Sequence, residues 1–355
     1  MPVAIRNPVV LHCVLALTAA DLSKFENLDS DLMSISYNHY GQALKGIQSA
    51  LKYEVNSAST TSHLNYIDDI LLAVLLLCFK SQNFTQNERI VPHINAAAVL
   101  CCNRLESATN NPDMRGLLFE VFCYMFTLVA SSHGKALELS LAYQVFYSPF
   151  LTGHACEGML LGTSRKLFLL ILRISMLTTS QDSVPLDASS RFELEAIELQ
   201  LSNLKFNKPT DRNDDEEAYD HATISELYRH ACLLHVKTTL NHQLSIKSDI
   251  IQNIVTDFVS QLEELPISSP ANNILVWPLV IVGLCTITQC HQRIISARLR
   301  KNHETWRSEI LPQNAAFLIR TWKPYRNPSK HWRSRNEVPY LARRLLNLQI
   351  PAILL

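Results

Sequence analysis

Glycine is scarce in this chain, at 8 of 355 residues. Doubly wound sheets and α/β barrels need glycine in many tight loops, so the shortage points toward helices. Cysteine is present in odd number, nine residues at 13, 78, 101, 102, 123, 156, 232, 285 and 290, with no C-x-x-C pair. That pattern argues against a disulfide framework or a structural zinc site and fits a reducing compartment. Most of these thiols lie inside apolar helical runs, where cysteine packs as a small hydrophobe. Net charge is also lacking: 32 basic residues balance 32 acidic ones, so no global field steers the chain to nucleic acid or membrane. No basic start, apolar core and small-residue cleavage site mark a secretory signal. The longest apolar run, residues 274–287, is about 14 residues, short of the roughly 20 a spanning helix needs. The expectation is a soluble intracellular protein.

The signatures of common chemistry are missing too. There is no G-x-G-x-x-G, no phosphate loop ending in Gly-Lys-Ser/Thr and no G-x-S-x-G, since Gly162-Thr163-Ser164 has no glycine in register. Thirteen histidines include no H-E-x-x-H. His230 and His235 are five residues apart and do not share a helical face, and Cys285 and Cys290 are misaligned in the same way, so core or surface roles are the plainer reading. No metal ligand set and no catalytic residue is assigned.

What is present is helical periodicity. Asn7-Pro8 reads as a cap followed by a first-turn proline, opening a helix to about residue 23. A second begins near Ser30 and carries Leu32, Ile35, His39, Tyr40, Ala43, Leu44, Ile47 and Leu51 on one face. A third is read from Asp68-Asp69, whose charges suit a first turn, through an all-apolar ILLAVLLLCF. Pro92 opens a fourth. A fifth carries Leu117, Leu118, Val121, Phe122, Met125, Phe126 and Val129. Helical patterns follow at 136–146, 163–178, 192–204, 224–244, 250–265, 313–323 and 336–348. Residues 273–300, NILVWPLVIVGLCTITQCHQRIISARLR, read as one buried helix whose terminal Arg293, Arg298, Arg300 and Lys301 suit its dipole. No window alternates as a strand. The expected fold is all-α, a single large helical domain over 1–355 of roughly a dozen helices, with flexible polar segments near 180–190 and 207–217.

Charge is unevenly spread. Residues 182–220 hold eleven acidic and four basic residues, a balance of −7, and residues 293–344 hold thirteen basic and three acidic, a balance of +10. Solvated faces are one reading and an interaction surface the other. The run from Asp214 and Asp215 to Asp220 resembles, in an all-α chain, the magnesium-binding aspartates of terpene synthases. The matching downstream Asn/Ser/Glu motif is absent, and a solvated loop explains the run as well. Trp306, Trp322, Tyr325 and Trp332 interleave with the C-terminal basic residues. They read as core anchors with a basic rim, or as a nucleic-acid surface.

An ordered set of segments carries a resemblance: residues 12–22 (HCVLALTAADL), 39–51 (HYGQALKGIQSAL), 69–79 (DILLAVLLLCF), 93–100 (HINAAAVL), 228–240 (YRHACLLHVKTTL), 276–283 (VWPLVIVG) with Arg293, and Trp322 with Trp332. Together they resemble the fungal-specific transcription factor domain, the helical region that follows a binuclear zinc cluster, in the branch of sterol-uptake and secondary-metabolite regulators. The resemblance implies a non-catalytic regulatory domain in RNA polymerase II transcription, residing in the nucleus or shared with the cytoplasm. It implies coregulators or a related regulator as partners, and an apolar effector. A homodimer is compatible with it, and no membrane partner is implied. Phe122, Met125, Phe126 and Trp277 are the candidate lining of an effector pocket, and simple packing of these residues is the alternative. The family's six-cysteine zinc array is not found in these residues. The chain therefore reads as a regulator without its DNA-binding module or as a shortened reading frame, with no cofactor and direct DNA binding in doubt. A stand-alone interaction protein that modulates a full-length relative is the second reading, and a magnesium-dependent helical enzyme the third.

Overall fold

The computed structural model describes residues 3–23, 31–56, 61–82, 90–105, 111–133, 136–148, 151, 164–179, 186–212, 215–241, 244–306, 308 and 310–322. The fold is all-α, as the periodicity predicts: among the described residues there are fourteen α-helices, a 3-10 turn and no strand. Packing divides the chain into two compact units, one of residues 1–126 and 136–163, the other of residues 127–135 and 164–355.

The first unit holds α1 (Val3–Arg6), α2 (Pro8–Leu22), α3 (Asp31–Asn56), α4 (Thr61–Gln82), α5 (Ile90–Asn103), the first part of α6 (Pro112–His133) and α7 (Leu139–Phe146). Asn7 caps α2 as expected, its side chain accepting from Val9 N at 3.0 Å and Val10 N at 3.5 Å, with Pro8 in the first turn. Helices α2 and α3 form an antiparallel hairpin. Val9 abuts Gly46, His12 meets His39, Ser36 Oγ donates to Ala16 O, and Ser23 contacts Met33. A methyl group on Gly46 would lie 2.6 Å from Val9 Cγ2, so glycine is what lets these helices approach.

The structure corrects the helix start expected at Asp68-Asp69. Asp68 and Asp69 are not in a first turn: α4 begins at Thr61, and both carboxylates are buried within the helix. Asp68 accepts from Arg115 Nε at 3.3 Å and Nη2 at 3.0 Å, with Arg104 Nε 3.6 Å away. Asp69 accepts from Arg6 Nη2 at 3.3 Å and Asn7 Nδ2 at 3.2 Å. Buried charge is tolerated because it is paired and hydrogen-bonded. Helix α6 also differs in detail. Leu117 is exposed, while Phe119 and Arg115 are fully buried, so the stripe widens into a helix enclosed on nearly all sides. Residues Pro112–Ser131 are long and apolar enough to cross a membrane, contrary to the run-length reading. They are also 83% buried, as in the core helix of a globular fold.

The second unit holds the end of α6, α8 (Arg165–Thr179), α9 (Ala188–Asn203), α10 (Glu216–Leu240), α11 (Asp249–Glu264), a 3-10 turn (Pro270–Ile274), α12 (Val276–Cys285), α13 (Gln289–Trp306) and α14 (Ile310–Trp322). Helix α10 is its centre, packing against α8, α9, α11, α12 and the 3-10 turn. It begins inside the acidic run. Asp215 is its cap, accepting from Ala218 N at 2.9 Å, and Glu216 and Glu217 occupy its first turn, where negative charge meets the helix dipole. Asp220 is buried against Arg212, 3.0 Å away, and Ser269. Asp214 and the expected helix at 336–348, like Tyr325 and Trp332, lie outside the described residues.

Residues 273–300 are not one helix. They pass from the 3-10 turn into α12, break at 286–288, and continue as α13. At the break Thr286 turns its hydroxyl back to Val282 O at 2.8 Å, and Thr288 Oγ1 accepts from His291 N at 3.4 Å, so two threonines end one helix and cap the next. The buried cysteines behave as hydrophobes: Cys13, Cys78, Cys101, Cys123, Cys232 and Cys285 are inaccessible, and burial pushes the Cys13 thiol up to about 12. Cys290 is exposed.

Candidate functional site

The start of α12 is the best-built position in the second unit. Val276, Trp277 and Pro278 form its first turn, where proline costs no hydrogen bond. Trp277 is 1% exposed. Its indole Nε1 donates to Ser131 Oγ at 3.1 Å, and that hydroxyl donates onward to Leu128 O at 2.7 Å. The indole stacks on Tyr228 with centroids 5.7 Å apart and an 11° tilt, and Tyr228 packs on Phe168 at 5.1 Å. The Tyr228 hydroxyl donates to Ile274 O, just before α12 begins. The indole and the phenol each have an apolar body and a satisfied polar tip, so the cluster fixes direction as well as volume.

A buried polar knot holds the approach to α12. Arg298 does not sit at the exposed end of its own helix, as the dipole reading had it. Its Nη1 donates to Leu265 O at 2.9 Å and Asn272 Oδ1 at 2.8 Å, and its Nη2 to Leu262 O at 2.6 Å. It therefore completes the end of α11, where Leu262 O also accepts from Leu265 N at 3.3 Å and Leu265 is the capping residue. Asn272 Nδ2 donates to Pro266 O at 2.7 Å and Ser269 O at 2.9 Å, and Asn302 Nδ2 donates to Asn272 O at 3.0 Å. Burial lowers the Arg298 pKa, with the charge of Glu263 opposing. On the far side, Gly283 allows α12 to meet α14: an added methyl would lie 2.7 Å from Leu318 Cδ1, and Trp322 Nε1 donates to Gly283 O at 2.8 Å. Trp322 is thus an anchor, the first of the two readings for the C-terminal aromatics. Arg293 and Arg300 remain exposed on α13.

The other pocket candidates belong to the first unit. Phe122, Met125 and Phe126 are fully buried, and Phe122 and Phe126 pair at 5.3 Å one turn apart on α6. Tyr228, Phe168, Asn272 and Asn302 were missed by residue-level reading. Tyr228 lay within a segment of the family resemblance and Phe168 within a helical pattern, but neither was singled out. His235 on α10 is buried with no hydrogen bond to either ring nitrogen, and burial pushes it down to about 4, so the ring is neutral. His230 is lowered by burial and then by Arg229. Among the described residues, no group of three or more histidine, cysteine or carboxylate side chains is placed to hold a metal ion.

An all-α chain with a fixed aromatic hub defines a class of helical scaffold rather than a chemistry. The sequence profile of the fungal specific transcription factor domain matches residues 1–334, and the chain belongs to that family. No curated protein and no solved structure matches it. Membership gives it a regulatory role in transcription.

Proposed function

We propose that this chain is a non-catalytic regulatory domain that acts in RNA polymerase II transcription in the nucleus, contacting coregulators or a related regulator. The observation that carries the reading is the family match over residues 1–334. The polar groups of the Trp277 hub are spent on structure: Trp277, Tyr228, Arg298 and Asn272 hydrogen-bond within the fold. In this account Phe122, Met125 and Phe126 within one unit, and separately Trp277 within the other, are candidate apolar positions for an effector that favours one of two packings of its own unit. A sterol or secondary-metabolite pathway follows from the resemblance of the segments alone. The test joins residues 1–355 to a heterologous DNA-binding module upstream of a reporter. The expected result is reporter output that differs from that of the module alone. Output equal to the module alone, at matched nuclear protein levels, overturns the reading.

A further inference from the structure

The α2–α3 hairpin contains a contact that its packing does not require. His12 and His39 face one another with Nδ1 atoms 2.9 Å apart, their rings stacked at 5.1 Å and inclined by 30°. The hairpin is already closed by Val9 on Gly46 and by Ser36 Oγ on Ala16 O at 2.7 Å. A neutral imidazole carries one donor and one acceptor nitrogen. The contact therefore forms only when one ring has its proton on Nδ1 and the other presents a lone pair there. Two imidazole nitrogens from different helices thus converge on one point with a single proton between them.

That point is also where a divalent transition metal would sit. Imidazole binds such ions at about 2.0–2.1 Å, and two bonds of that length at a tetrahedral angle place the nitrogens about 3.3 Å apart. The pair would need to open by only about 0.4 Å, within reach of small rotations of two half-buried rings. The donor ring would move its proton to Nε2, freeing Nδ1, and water would fill the remaining positions on the open side. The neighbouring histidine is engaged elsewhere: His93 Nε2 lies 2.8 Å from the Tyr40 hydroxyl. Soft and borderline ions favour imidazole over the hard cations, which select oxygen. We propose that His12 and His39 form a two-histidine site for a divalent ion of the zinc, nickel and copper class, clasping α2 to α3.

The test titrates the full chain with zinc chloride and with nickel chloride. Calorimetry, thermal unfolding and NMR of the assigned histidine rings are the readouts. The expected result is one ion per chain, ring signals of His12 and His39 that respond together, and a thermal midpoint that rises with the ion. At a hundred times Kd the folded-to-unfolded ratio rises about a hundredfold. His12→Gln and His39→Gln should each weaken binding at least tenfold, while His221→Gln, at a partly exposed ring on α10, leaves it unchanged. The proposal is overturned if the double variant binds with wild-type affinity, or if the two wild-type ring signals stay still while the ion binds. Should a variant fold poorly, the wild-type ring titration still decides.

Discussion

Replacing Arg298 with methionine keeps most of the apolar stem of the side chain and removes its donors. Leu265 O and Asn272 Oδ1 then lose their partner, while Leu262 O keeps its bond from Leu265 N at 3.3 Å. A buried acceptor left unpaired costs about 1–3 kcal/mol. The low end applies, because burial already disfavours the guanidinium and its removal returns that penalty. Two acceptors at about 1 kcal/mol each give a loss of about 2 kcal/mol. In a unit of this size that lowers the melting midpoint by about 4–8 °C. Intrinsic fluorescence is the natural assay, since the tryptophans with described side chains, Trp277 and Trp322, both lie in the second unit. Arg300→Met on the exposed side of the same helix is the control, expected within about 0.5 kcal/mol of wild type. An Arg298→Met midpoint indistinguishable from the control would show that the knot does not hold the loop before α12.

Three further outcomes follow. His235 has a folded-state pKa of about 4 against an ordinary 6.5, so the unfolded chain binds the proton more readily. Stability is therefore unaffected by this ring above about pH 6.5, declines as pH falls from there toward 4, and levels off below, by about 3 kcal/mol in all; His235→Leu should flatten that decline in denaturant midpoints measured across pH. Gly283→Ala drives a methyl into Leu318 and should cost about 1–3 kcal/mol, recovered in the Gly283→Ala, Leu318→Ala pair as a favourable coupling in a double-mutant cycle. In gel-shift experiments the purified chain should show no sequence-selective shift that survives about 0.2 M salt, since scattered Arg and Lys supply only salt-sensitive contacts.

Much of the fold was legible because local rules governed it. Asn7-Pro8 specified a capped start, and apolar spacing placed the helices with few exceptions. The errors fell where tertiary partners overrode local charge logic. Asp68-Asp69 looked like a first turn because acidic residues suit one, but distant Arg104, Arg115 and Arg6 pair with them in mid-helix. Arg298 looked like a dipole partner for its own helix, yet it ends a different one, across 33 and 36 residues of sequence. The break at 286–288 was hidden by the apolar run, because the signal for it was two threonine hydroxyls rather than glycine or proline. At the candidate site Trp277 was readable as an anchor from its place beside Pro278. Its partners Ser131 and Tyr228 come from 146 residues away by sequence and from another helix, a pairing no local pattern encodes.

The central claim, that these residues regulate transcription through an intact helical fold, is tested most directly by the tethered reporter run with three forms of the chain. The account predicts that wild type and Arg300→Met change output equally and that Arg298→Met, at equal protein level, loses the effect. A wild-type fusion that leaves output at the level of the DNA-binding module alone would contradict it.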